Sequence, residues 1–264
     1  MQLDAFAITI SGRRANNEDA ICARPDLGLF VVADGMGGYE GGEIASALAV
    51  EAIHELVRRT AGDADVTWPY AIDPKRSVHE NEMIVATRLA NDRIIARRVG
   101  ELGEMGSTVA VLRFVADCAA AGYDCAVAGH ECTRGGCGCA IISHVGDSRI
   151  YRMRGGVVEQ LTADHSLYNQ LVAAGMEPAS DFAWRHVVTR ALGTTSGVPD
   201  VQCTPIVSGD VFLVCSDGLS EVLGTDELAK LLALSPETAC RQLVDAAYDA
   251  GSRDNISAIV VRAS

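Results

Sequence analysis

Ala140-Ile141-Ile142-Ser143-His144-Val145, Ser148-Arg149-Ile150-Tyr151-Arg152-Met153 and Val157-Val158-Glu159-Gln160-Leu161 follow one another with only Gly146-Asp147 and Arg154-Gly155-Gly156 between them. Two β-rich runs around Gly-Gly read as a hairpin, and Gly146-Asp147 reads as a tight turn between strands. Parallel strands need a crossover of about a dozen residues or more, so strands joined this closely imply antiparallel sheets. Outward from this block, residues 107–115, 210–215 and 256–261 read as further strands. Residues 3–10 and 29–33 do the same near the start. Helical signals lie apart from them. Ile44, Leu48, Ala52 and Leu56 form one apolar column, Ala45, Ala49, Ile53 and Val57 its neighbour, and Glu51, Glu55, Arg58 and Arg59 the wet face. Helices are also predicted over 78–99 and 162–174, and another starts at Ser235-Pro236-Glu237 and ends at Gly251. The regular strand-helix alternation of a parallel sheet is missing, so the expected class is α+β, with helices covering β layers.

With 264 residues and 48% apolar side chains, the chain can fill a sizeable core, and one domain over 1–264 is expected. Its net charge of −13 leaves no basic stripe, which argues against duplex DNA or RNA as partner. The first ten residues carry Asp4 and no basic segment, unlike a signal peptide, and no apolar run approaches a membrane span. Nine cysteines, an odd number, point to a reducing compartment. A cytoplasmic protein is the expectation.

Acidic residues recur where apolar runs stop. Val31-Val32-Ala33 ends on Asp34-Gly35, Phe212-Leu213-Val214-Cys215 ends on Ser216-Asp217-Gly218, and Asp254-Asn255 precedes the last strand. Asp147 occupies its turn, and Asn17-Glu18-Asp19 follows the first strand. Asp-Gly is a common turn pair on its own account. Carboxylates converging from several strand ends, however, would repel one another or take up protons unless hard divalent cations held them ionised.

The order Arg14-x-x-Asn17-Glu18-Asp19, Asp34-Gly35-Met36-Gly37-Gly38, Gly106-Ser107-Thr108, Gly146-Asp147-Ser148-Arg149 resembles the metal-dependent protein phosphatases of type 2C. It continues through Leu161-Thr162-Ala163-Asp164-His165-Ser166, Thr189-Arg190-Ala191-Leu192-Gly193, Ser216-Asp217-Gly218 and Asp254-Asn255, spanning residues 3–262. The resemblance implies two packed antiparallel sheets flanked by helices. It implies a pair of Mn²⁺ or Mg²⁺ ions bridged by Asp34, with Asp217 and Asp254 on one ion and the Gly35 carbonyl on the other. By the same resemblance Glu18 and Asp19 line the site, largely through metal-bound waters. Asp147 helps hold a third, weaker metal, and Arg14 grips the substrate phosphate, for which its planar fork is suited. The implied reaction is hydrolysis of phosphoserine and phosphothreonine in proteins by direct attack of a hydroxide shared between two ions ~3.5–4 Å apart. A partner Ser/Thr kinase and a monomeric enzyme go with it. The rival readings are a catalytically silent phosphoprotein-binding module and a phosphatase of small phosphate esters.

Three stretches depart from that pattern or lie open. Met36 stands where many relatives have a proton-donating histidine; Met transfers no proton, so a metal-bound water is expected to serve, with His165 as the protein alternative. Residues 117–138 form an insertion rich in cysteine. There His130, Cys132, Cys137 and the adjoining Cys139 could bind Zn²⁺, respond to redox state, or do neither. Cys118 and Cys125 also fall in it, whereas Cys22, Cys203, Cys215 and Cys240 read as small core residues. Residues 167–186 correspond to a variable flap beside the active site, whose Trp184 and Arg185 either touch substrate or pin the flap.

Overall fold

Side chains alternate along a strand, and in residues 29–33 both alternating sets are buried. Leu29, Val31 and Ala33 join one core cluster, while Phe30 and Val32 join another. The same split recurs where Val211, Leu213 and Cys215 face one way and Phe212 and Val214 the other. A strand covered on both faces loses its polar alternation, which is why these segments read as unbroken apolar runs.

The computed structural model describes residues 1–37, 41–62, 66–116, 138–179 and 182–264. Its strands are β1 (Leu3–Ile10), β2 (Asp19–Arg24), β3 (Leu29–Met36), β4 (Gly106–Ser107), β5 (Val109–Val115), β6 (Cys139–Val145), β7 (Arg149–Arg154), β8 (Val157–Gln160), β9 (Asp200–Pro205), β10 (Val211–Cys215) and β11 (Ile256–Ala263). Its α-helices are α1 (Gly41–Gly62), α2 (Val78–Arg97), α3 (Leu167–Ala173), α4 (Asp217–Ser220), α5 (Thr225–Leu232) and α6 (Pro236–Asp249). One sheet runs β1-β11-β10-β7-β8, the other β2-β3-β5-β6-β9 with β4 beside β3. The strand pairs are antiparallel. Phe30, Leu112, Phe114, Ile142, Ile150, Phe212 and Ile259 fill the space between the sheets. α1 and α2 cover the outer face of the second sheet, and α4, α5 and α6 that of the first. The expected α+β sandwich, two antiparallel sheets between helices, is the fold. No described helix is long and apolar enough to cross a membrane.

Several local expectations hold for stated reasons. α2 starts after Ser77, whose hydroxyl accepts from the Glu80 N–H while Glu80 reaches back to the Ser77 N–H, a reciprocal cap. Ser235 caps α6 in the predicted way. The Gly155-Gly156 hairpin joins β7 to β8.

Three features differ. The helix predicted over 162–174 is confined to α3, because residues 162–165 are tied to the strand turns: the Ile150 N–H donates to Thr162 Oγ1, and the His165 N–H to the Gly146 carbonyl. Ser166 then caps α3. β2 and β9 form in segments with no evident strand pattern, each recruited by a neighbour already in place. Finally, the turn at Gly146-Asp147 closes no hairpin, since β6 belongs to one sheet and β7 to the other. Gly146 takes φ 102° there, and the chain crosses between layers. The cysteine-rich insertion expected at 117–138, with its candidate Zn²⁺ ligands His130, Cys132 and Cys137, lies outside the described residues apart from Gly138. Cys139 is buried in β6.

Candidate active site

Antiparallel pairing brings the end of one strand beside the start of the next, and here that rule gathers the acids. Asp19 at the start of β2 pairs directly with Asp34 near the end of β3. β10 ends at Cys215, two residues before Asp217, beside the start of β11, two residues after Asp254. Asp147 sits in the turn that steps between the sheets. Arg14, Glu18, Asp34, Gly35, Asp147, Asp217 and Asp254 thus line one cleft of ≈ 330 Å³, together with Met36, Thr108, His186 and Val188.

Asp19 is the exception among the expected residues. It is buried behind that wall, where Ser216 Oγ (2.7 Å) and Ser257 Oγ (2.6 Å) donate to its Oδ2. Both serines come from the opposite sheet, so Asp19 ties the two layers together at the end that carries the site. In the sequence Ser216 stands out only as the neighbour of Asp217, and nothing marks Ser257 apart from other small polar residues.

Glycine beside aspartate has a reason here beyond turn preference. A Cβ on Gly218 would stand 2.0 Å from the Asn255 carbonyl oxygen, and one on Gly35 1.9 Å from that of Gly42. The Asp217 and Asp254 segments therefore close directly on each other, and α1 begins hard against Gly35. Asn255 completes the frame: its Oδ1 accepts from the Glu18 N–H, and its Nδ2 donates to the Ser11 and Asn16 carbonyls.

The electrostatics are those of a site built for cations. Burial, then the neighbouring Asp217, Asp19, Asp147 and Asp254, push the Asp34 carboxyl well above the usual range. Burial foremost raises Asp217 to about 8, and Asp19 and Asp147 each to about 6. Asp19 Oδ1 and Asp217 Oδ1 are buried without a hydrogen-bond partner among the described residues. Buried oxygens left unpaired cost about 1–3 kcal/mol each, more when charged. Hard divalent cations, which take oxygen ligands, fit this donor set. Against the acids stands Arg14, whose Nη2 donates to Asp254 Oδ2 at 2.8 Å and whose Nε donates to the Arg253 carbonyl at 3.1 Å. Its side chain is 55% exposed, which leaves the rest of the guanidinium open to a ligand.

These shifts set a pH dependence for the metal-stripped protein. Each raised pKa means that the folded state holds a proton the unfolded chain has released, so stability falls as pH rises through about 6 and again through about 8. With chelator present, the melting temperature at pH 6 is expected to exceed that at pH 8 by roughly 4–8 °C, or about 2 kcal/mol. Added Mn²⁺ should close most of that gap. A stripped protein that melts higher at pH 8 would contradict the acid cluster.

His165, the protein alternative for proton donation, is turned to another task. It is buried behind the 146–148 turn, with Nδ1 accepting from the Gly146 N–H at 3.1 Å and Nε2 3.2 Å from Asp200 Oδ2. Its ring stacks on His144, and it lies on the wall of neither this cleft nor the cavity beside it. Burial pushes the Cys215 and Cys240 thiols up to about 12 and raises Cys22, which works against these three as nucleophiles. In the 167–186 stretch Trp184 is 63% exposed. Arg185 lies over the Tyr168 ring of α3.

A profile of the protein phosphatase 2C family matches residues 11–255, from just before Arg14 to just past Asp254. The chain belongs to the protein phosphatase 2C family. Protein phosphatase PhpP of Streptococcus pneumoniae is 30% identical over 96% of this chain and 94% of its own length. The crystal structure of the serine/threonine phosphatase PstP/Ppp of Mycobacterium tuberculosis superposes with a TM-score of 0.78 at 26% identity, covering 100% of both chains. A second structure, the catalytic domain of PstP in complex with two manganese ions, gives 0.76 at 27% identity over 98% of this chain and 97% of that one. Within this 2C fold the acids at the sandwich end are the feature that asks for a chemical explanation.

Proposed function

We propose that the cleft between the sheet ends hydrolyses phosphoserine and phosphothreonine in proteins, using Mn²⁺ or Mg²⁺. As a member of its family the protein is a metal-dependent protein serine/threonine phosphatase. The observation that carries the reading of the site is the convergence of Asp34, Asp147, Asp217 and Asp254 on one cleft wall, where the buried Asp217 Oδ1 has no hydrogen-bond partner among the described residues. Asp34, Asp217, Asp254 and the Gly35 carbonyl would hold two ions, and Asp147 a third, weaker one. Bound there, the ions would acidify a water to act as nucleophile and take up charge on the phosphoryl oxygens.

The chain's own residues do the rest. Arg14 offers its free guanidinium edge to the phosphate, and Asp254 and the Arg253 carbonyl fix its plane. Glu18 stays at the rim, its carboxyl raised by burial, where it can accept from a water. Asn255 holds the Glu18 and Asp254 segments in register. The whole of 1–264 acts as one catalytic domain, with 167–186 as a flap beside the cleft. Its phosphoprotein substrates imply a Ser/Thr kinase whose effect it reverses, and its nine cysteines suit a reducing cytoplasm. We read it as a monomer.

The test is hydrolysis of a phosphothreonine peptide by metal-stripped protein before and after Mn²⁺ is added. Activity should appear only with the metal, and Arg14→Ala should raise KM and lower kcat/KM by about 10²-fold, in line with the loss of a charge-assisted phosphate contact. A folded, Mn²⁺-loaded protein that leaves the peptide intact would favour the silent binding module instead.

A further inference from the structure

Departure of a serine or threonine alkoxide calls for a proton, and neither Met36 on the cleft wall nor His165 behind the turn can deliver one. One histidine does face the cleft. His186 lies on the wall shared by the acid cleft and an adjoining cavity of ≈ 460 Å³, and Asp147 and Asp217 are its partners on that shared wall. Its Nδ1 is hydrogen-bonded to Glu221 Oε1, the residue that caps the C-terminal end of α4. Nε2 has no hydrogen-bond partner among the described residues. The imidazole is 59% exposed, so it can regain a proton from water between turnovers.

We propose that His186 is the general acid of this phosphatase, giving its Nε2 proton to the leaving serine or threonine oxygen while Glu221 holds the ring; the assignment rests on the proposed phosphatase reading of the cleft. In the step, a water oxygen bonds to phosphorus and releases a proton to solvent. The bond from phosphorus to the side-chain oxygen breaks, and that oxygen takes the Nε2 proton. His186 is left as neutral imidazole with Nδ1–H still on the Glu221 carboxylate, a tautomer set by that bond. A carboxylate partner at one ring nitrogen with the other nitrogen open to the substrate is the arrangement general acid catalysis needs.

A purely structural part for His186, clasping the flap to α4, would predict something different, and leaving-group dependence separates the two. With Mn²⁺ present, kcat is measured on a phosphothreonine peptide, whose alkoxide needs a proton, and on p-nitrophenyl phosphate, whose phenolate leaves readily without one. His186→Asn keeps a donor for Glu221 but carries no transferable proton. It is expected to lower kcat on the peptide by about 10²-fold, with a loss on p-nitrophenyl phosphate at least ten times smaller. Glu221→Gln should give the same split with a peptide loss of about 10-fold. Equal losses on both substrates would assign the ring to clasping alone, and no loss on either would place the proton donor elsewhere; both overturn the assignment while the phosphatase reading stands. Wild-type protein inactive on both substrates would sink the reading and the acid with it.

Discussion

Asp34→Asn abolishes turnover and at the same time stabilises the metal-free protein. Asp34 sits at the centre of the acid cluster, pushed upward first by burial and then by four neighbouring aspartates. The amide keeps the size of the side chain but removes the charge that would bridge two ions. A loss in kcat of about 10³-fold or more is expected, close to 4 kcal/mol of transition-state stabilisation. With chelator present at pH 7, the variant should unfold at higher temperature than the wild type, by about 1–3 kcal/mol, since a desolvated and repelled carboxylate has gone. The rise in melting temperature on adding Mn²⁺ should shrink. Activity within tenfold of wild type, or a metal-free variant less stable than wild type, would show that Asp34 is not the bridging charge. Function here is bought with local instability, and this pair of measurements reads both sides of that exchange.

Phe212→Ala tests the packing that holds the site's two halves together. Phe212 is fully buried between the sheets, its ring 5.2 Å from Phe114 in an edge-to-face pair, and Phe114 in turn lies 5.7 Å from Phe30. The three rings come from β10, β5 and β3, so they join the strands that lead to Asp217 and Asp34. Truncation costs about 3–5 kcal/mol for the lost transfer energy and the cavity, with about 1 kcal/mol more for the ring pair. The urea midpoint should fall accordingly, with an unchanged slope. Mn²⁺ should restore part of the loss, because the proposed ligands come from both sheets and a bound ion would tie the layers at one end. A loss under about 1 kcal/mol would mean that the sheets close over the missing ring and that the spacing is not set there.

Much of this architecture was legible because local chemistry and final structure agree. Ile44, Leu48, Ala52 and Leu56 predicted the helix that became α1, and Ser235-Pro236-Glu237 predicted the start of α6. The aspartates at strand ends were visible as residue types in a recurring context. β2 and β9 were not, because their strand character comes from the neighbours they pair with rather than from their own residues. The helix over 162–174 was overextended for the converse reason: residues with helical spacing were claimed by hydrogen bonds to strands already formed.

The sequence by itself determined which side chains are available for chemistry: the acids, the arginine, a methionine where a proton donor could have stood. Their order resembles that of the type 2C phosphatases and so implies the site, whereas an Asp-Gly pair taken singly is an ordinary turn. Only the tertiary structure decided who meets whom. Apolar runs buried on both faces look alike whichever sheet they enter, so nothing local says that the chain crosses between layers at Gly146 and places Asp147 in the cleft. Nor does anything local rank the histidines. His165 is fixed by Gly146 and Asp200, 19 and 35 residues away, and His186 is aimed by Glu221, 35 residues on. Contacts at such separations depend on strand register and layer spacing, which exist only once the whole chain has packed.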